Sequence, residues 1–168
     1  MAWRNWRKVS SLRFPQTEAD YVSLFPSNYE HLKAFDARLG KYEGDFRMLG
    51  TPVKGPMAFS TAWSLNKNFV EALFTGDSGE LMFIINGWNP NTKSVQSWNF
   101  NADGTRGEGV ETVDADGSGS AVGTVIKADG TVLKTRREHV NNSDGTFTAK
   151  GFDNDEPTWD YTFQELKK

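Results

Sequence analysis

Residues 95–140 read VQSWNFNADGTRGEGVETVDADGSGSAVGTVIKADGTVLKTRREHV, and this stretch decides the fold. Ala-Asp-Gly stands at 102–104, 115–117 and 128–130, once every 13 residues, and Asp144-Gly145 supplies a fourth Asp-Gly downstream. Asp-Gly populates the positive φ angles that a tight hairpin turn needs. The runs between these turns predict strands over 93–101, 105–113, 119–127 and 131–140, joined as successive hairpins. The strands are not otherwise alike, so the spacing marks hairpins of similar length and not a solenoid repeat.

The same reading extends in both directions. Strand-like runs cover 57–65, 68–75 and 80–88 upstream, and 145–151 and 157–166 downstream. After Gly40, Tyr42, Gly44, Phe46 and Met48 alternate with Glu43, Asp45 and Arg47, the pattern of a half-buried strand. Gly50-Thr51-Pro52 and Lys54-Gly55-Pro56 end it. The count is about ten strands and the class is all-β. A long antiparallel meander must deal with its edges, and closure into a barrel removes them. Ten strands also enclose more space than side chains alone fill, so a ligand cavity is expected. A sandwich is the main rival, but sandwiches usually carry longer crossing connections than these hairpins.

A helix leads into the barrel. Ser27-Asn28-Tyr29-Glu30 has the form of a capping box. Leu32, Phe35 and Leu39 form one stripe, and Gly40 suits the left-handed position that ends a helix, which predicts a helix over about 28–39. Thr17, with Asp20 three residues on, is read as the cap of another short turn. Residues 17–168 are expected to form a single barrel domain, and residues 1–16 an arm. In the arm Trp3 and Trp6 alternate with Arg4, Arg7 and Lys8. Such an arm either packs on its own domain or docks on a partner, a second copy or a membrane surface.

Composition narrows the classes. At 168 residues the chain suggests one domain with a real core. It has no cysteine, which excludes disulfides, thiolate metal sites and a cysteine nucleophile. A formal net charge of -3 carries no nucleic-acid footprint. No apolar run approaches the roughly 20 residues of a membrane-spanning helix. The basic N-terminus lacks the apolar stretch of a secretory signal, so the cytoplasm is the expected location.

Chemical motifs are sparse. Asp114-Ala-Asp116-Gly-Ser118-Gly119 starts like a calcium loop, but Val125 stands where the twelfth-position carboxylate belongs, so it is read as a hairpin turn. Gly104-Thr-Arg-Gly107-Glu-Gly109 opens no helix and is not a dinucleotide fingerprint. No Gly-x-Ser-x-Gly elbow occurs. The carboxylate groups Glu108/Glu111 and Asp153/Asp155/Glu156 sit in contexts that read as turn-like or exposed, a solvated face. His31 reads as a solvent-facing helical residue. His139 shares a strand face with Leu133, Thr135 and Arg137. If that face points inward, Arg137 and His139 line the lumen; if outward, they are ordinary surface residues. Val132 and Val140 favour the opposite parity to Leu133, and the question stays open.

Aromatic residues are the positive signal, with 6 Trp, 12 Phe and 4 Tyr. Most make the core, and some should line a pocket with polar neighbours. The candidate ligand-binding set is Trp63, Phe83, Asn86, Trp88, Gln96, Trp98, Arg137 and His139. No metal and no cofactor is expected.

Two segments carry a resemblance. Leu39-Gly40-Lys-Tyr42-Glu-Gly44 resembles the Leu-x-Gly-x-Trp-x-Gly opening of calycin-type barrels, with tyrosine for tryptophan. Asn86-Gly87-Trp88-Asn89-Pro90 and Val95-Gln-Ser-Trp98-Asn-Phe100-Asn-Ala-Asp103-Gly104 resemble a run of a bacterial lipocalin-like family whose members often follow a SnoaL-like domain. The similarity spans about residues 39–166. It implies a lipocalin-like barrel, and that family has no settled activity to carry over. Nitrobindin-like haem barrels are more distant in shape. Their iron ligand is a late histidine, and only His139 stands in a comparable place, in a motif that does not match.

The expected function is a binding module for a small apolar or amphipathic ligand held in the lumen. One alternative is a subunit that assembles through Trp3, Arg4, Trp6 and Arg7. Another is a cofactor-independent isomerase or cyclase that uses Arg137, His139 and Tyr161 as acid–base groups.

Overall fold

The computed structural model describes residues 26–166. The arm and the Thr17 turn lie outside the described residues. Among the described residues no helix is long and apolar enough to cross a membrane.

A four-residue helix α1 (Tyr29–Leu32) runs directly into a 3-10 segment (Lys33–Arg38). Ten strands follow: β1 (Gly40–Met48), β2 (Lys54–Ser64), β3 (Phe69–Gly76), β4 (Gly79–Asn89), β5 (Ser94–Asn101), β6 (Arg106–Val113), β7 (Gly119–Ile126), β8 (Val132–Asn141), β9 (Thr146–Asp153) and β10 (Glu156–Glu165). Each pairs antiparallel with its neighbours in the chain, and β1 pairs with β10 to close the barrel. At that seam Gly44 faces Phe163 across the two strands. A Cβ on Gly44 would lie 2.0 Å from the Thr162 carbonyl oxygen, so the strands approach as closely as they do only because residue 44 has no side chain.

The four Asp-Gly sites are hairpin turns of one kind. In each, the residue before the turn and the residue after it are bonded, as Asn101 N–H is to the Thr105 carbonyl and Asp114 N–H to the Ser118 carbonyl. Only the glycine takes positive φ, from +84° to +86°. The preceding aspartate does not; its carboxylate accepts the N–H two residues on, at 2.8 Å for Thr105 and Ser118 and 2.9 Å for Thr131 and Thr146. These are three-residue loops with a glycine bulge, and not two-residue turns with both positions at positive φ. The calcium-like segment at 114–119 is one of them.

The capping box does not form. Ser27 Oγ accepts the Tyr29 N–H at 3.0 Å in place of the Glu30 N–H, and the Ser27 hydroxyl donates to the Lys67 carbonyl. The segment tightens to three residues per turn, so the buried row runs Leu32, Phe35, Arg38 in steps of three. This row plugs one end of the barrel. Leu32, Phe35 and Val70 form a core there, with Leu39, Trp63, Val95 and Val113 packed against them.

The main core lies against β1–β4, β9 and β10: Tyr42, Phe59, Phe74, Phe147, Tyr161 and Phe163 interlock, with the Phe59 ring edge-on to Phe163 at 4.8 Å. Several inward positions of β5–β8 are different. Ser97, Gly109, Ala121, Gly123 and Thr135 are small, and Gly109 faces Gly123 across the β6–β7 pair. The aromatic side chains fill the barrel near the plug, and these small residues help leave it hollow toward the opposite end.

Candidate functional site

The hollow is a cavity of about 620 Å³. Its apolar wall includes Phe46, Met57, Met82 and Trp159, and its polar wall Ser97, Asn99, Asn101 and Thr135. Arg137 and Tyr161 line it and also line a small void of about 40 Å³ beneath the plug. They therefore mark the boundary between filled and hollow halves.

At that boundary lies a buried charge cluster. Glu111 is 3% exposed, His139 3% and Arg38 7%. Arg38 Nη1 donates to Glu111 Oε1 at 2.6 Å, and Arg137 Nη2 donates to Glu111 Oε2 at 2.7 Å. The Arg38 guanidinium also donates to His139 Nε2, to the Gly117 carbonyl and, at 3.3 Å, to the Ser118 carbonyl. Arg38 thus ties the plug to the β6–β7 turn, to β6 and to β8. Gly117 is required at that turn, since its φ is +86° and a Cβ would meet Ala37 at 3.0 Å.

Burial alone would raise the Glu111 pKa, but the Arg137 and Arg38 guanidiniums outweigh it and hold the carboxylate below its ordinary range. Burial lowers Arg38, against the pull of Glu111, yet a guanidinium stays protonated. Burial first, and the Arg38 charge second, take His139 down to about 3, so its ring is neutral and Nε2 is the acceptor. Burial raises Tyr161 to about 12.

His139 should therefore make the fold acid-sensitive. Its folded pKa lies below its unfolded value, so the unfolded chain takes up the proton first as pH falls. The stability is fully present above 6.5 and is lost progressively toward 3, at up to about 1.4 kcal/mol per pH unit. Urea midpoints measured from pH 7 to pH 4.5 are expected to fall for the wild type. In His139→Gln, which keeps an acceptor for Arg38, they should stay nearly level until carboxylates titrate.

The strand face left open by the sequence points inward: Arg137 and His139 both line the lumen side, with Thr135 and Leu133. Asn86 also faces inward, 5% exposed, and its Oδ1 has no hydrogen-bond partner among the described residues. Trp88 and Trp63 have the inward parity but stand at the plugged end. Trp88 stacks on His31 with ring centroids 4.0 Å apart, and Trp63 Nε1 donates to Asp36 at 2.9 Å. They hold the plug and do not reach the cavity wall.

Three more of the expected residues are corrected, besides Trp63 and Trp88. Phe83, Gln96 and Trp98 each neighbour an inward residue in their strands (Ile84 and Ser97), so alternation turns them to the outer face. There Trp98 and Phe69 pack over Gly87, where a Cβ would lie 2.7 Å from the Phe69 ring. Glu108 and Glu111, read together as a solvated pair, lie on different faces: Glu108 is exposed and Glu111 is the buried centre of the cluster. Sequence reasoning missed Glu111 and Arg38 as site residues. The signal for Arg38 was its place three residues after Phe35 in the buried row.

His139 Nε2 is occupied by Arg38, so the late histidine does not present that nitrogen as an iron ligand. Among the described residues no group of three or more His, Cys, Asp or Glu side chains could hold a metal ion.

No known protein-family model matches the chain, and no characterised protein matches it by sequence. Among solved structures, the crystal structure of Rv2717c from M. tuberculosis is similar, with a TM-score of 0.55 and 12% sequence identity over 82% of this chain and 98% of that one. At that identity the likeness shows a shared fold and no more.

Proposed function

We propose that this barrel is a binding module for a small, largely apolar or amphipathic molecule held in the lumen. The observation that carries the reading is the cavity itself. A volume of about 620 Å³ inside a closed sheet, with an apolar wall, a polar wall and charged residues of both signs in its lining, Arg137 among them, has the form of a small-molecule site. The lipocalin-like resemblance of residues 39–166 agrees with it.

The acid–base alternative has less support. General acids and bases work best with pKa values near the working pH. His139 is held near 3 and Tyr161 near 12, so neither is poised to exchange a proton at neutral pH.

Filling the cavity tests the proposal. Thr135 faces Gly123 across β7–β8, where a large ring has room to extend. Wild type is expected to take up one equivalent of the neutral dye Nile red with a blue-shifted emission. Thr135→Trp should retain its fold by circular dichroism and lose most of that signal. Equal dye uptake by both proteins would place the site elsewhere.

A further inference from the structure

We propose that the lumen ligand is an amphipathic anion, such as a fatty carboxylate, whose head group docks on Arg137. This rests on the reading of the lumen as a binding site and adds the chemistry of the ligand.

The cluster beneath the cavity does not balance its own charge. Arg38 and Arg137 contribute two positive charges, and Glu111 contributes one negative charge to both. No other carboxylate joins the cluster among the described residues. His139 sits 3.9 Å from Glu111, but the hydrogen bond it accepts from Arg38 requires a neutral nitrogen there. The Tyr161 hydroxyl, the other titratable group that faces the cluster, is also neutral. One net positive charge therefore remains in the cluster at the inner end of the cavity. Buried charges are normally paired, and a guanidinium cannot shed its proton to escape the cost.

The two arginines differ in what they can still do. Arg38 is spread over Glu111, His139 and two carbonyls. Arg137 has one hydrogen bond among the described residues, to Glu111. Its side chain is 20% exposed and lines the cavity. A guanidinium carries five N–H donors in a planar fork that fits a carboxylate two at a time. Arg137 and Ser97 line the chamber together with the apolar side chains Phe46, Met57, Met82 and Trp159. A ligand with an anionic head and an apolar tail satisfies both features at once. Asp103, Glu108 and Asp153 also line the cavity, beside Lys127 and Arg136, but a cation paired with them would leave the remaining donors of Arg137 without an acceptor, as would a neutral chain.

The test compares three probes of equal chain length: dodecanoate, dodecanol and dodecyltrimethylammonium. Binding is followed by isothermal titration calorimetry and by the change in tryptophan fluorescence. Wild type is expected to bind dodecanoate about tenfold or more tighter than dodecanol, and the ammonium probe most weakly. Arg137→Gln, which leaves the Arg38–Glu111 pair in place, should bring dodecanoate down to the level of dodecanol, and Arg137→Lys should keep part of the preference. Equal affinity of wild type for dodecanoate and dodecanol would overturn the anion assignment while leaving the lumen site standing. A preference for dodecanoate that survives in Arg137→Gln would overturn the role of Arg137. Failure of all three probes to bind would overturn both the anion assignment and the lumen site. The wild-type comparison needs no variant, so it decides the matter even if Arg137→Gln does not fold.

Discussion

Glu111→Gln is expected to lower the unfolding free energy by about 3–5 kcal/mol, because it leaves two guanidiniums in the interior without their carboxylate. The side chain is almost the same size, so a cavity does not contribute; the loss is electrostatic. Glu111 Oε1 and Oε2 each accept a hydrogen bond from a different arginine. A glutamine can accept from one of them and must turn its amide donors toward the other. The measurement is a guanidinium chloride or urea midpoint at pH 7. The apolar triple variant Arg38→Met, Glu111→Leu, Arg137→Met separates stability from function. Replacing a whole buried ion cluster by well-packed apolar residues is commonly neutral or stabilising, so this variant should fold about as stably as wild type. It should also lose all preference among charged and neutral probes. If Glu111→Gln is as stable as wild type, the cluster is not held as the structure shows it.

Phe163→Ala should cost about 3–5 kcal/mol for the lost ring and the space it leaves. Phe163 is 0% exposed. It meets Phe59 at 4.8 Å, Tyr161 at 4.6 Å and Phe74 at 6.5 Å between ring centroids. It also sits on β10 opposite Gly44, at the seam where the barrel closes. The neighbours that surround it are themselves aromatic and well packed, so they have little freedom to collapse into the space. A matched change at the exposed Phe100, on the outer face of β5, should shift the unfolding midpoint far less. Comparable losses at the two sites would mean that the inward and outward faces are misassigned.

The fold was legible because its turns are chemically explicit. Asp103-Gly104, Asp116-Gly117, Asp129-Gly130 and Asp144-Gly145 mark hairpins wherever they stand, and the period of two in Tyr42, Gly44, Phe46 and Met48 marks the first strand. The helical plug was legible as an apolar stripe, but its pitch was not. Spacings of three and four fit an α-helix, and only packing against Val70 and Val95 selects the tighter turn that carries Arg38 inward. The site was harder to read, for a physical reason. Along β6 the inward residues are Gly107, Gly109, Glu111 and Val113, so the glycines give no apolar signal and the buried carboxylate looks like a surface one. Along β4 and β5 the difficulty is the reverse. Phe83 and Trp98 on the outer face are as apolar as Ile84 on the inner face, and a one-residue change of parity exchanges the two sets. Arg137 and His139 were found as candidates because charged residues stand among strand formers, but their direction depended on Ala121 and Gly119 across the β7–β8 pair.

Native mass spectrometry shows whether the hollow half of the barrel holds a small molecule. The protein is purified from its own cells and weighed intact under native and denaturing conditions, beside Thr135→Trp prepared in the same way. Wild type is expected to carry an excess of one small molecule per chain, denaturation to remove it, and the variant to lack it. An identical excess on Thr135→Trp, or a bare wild-type chain that also takes up no Nile red and no dodecanoate, would contradict the lumen site.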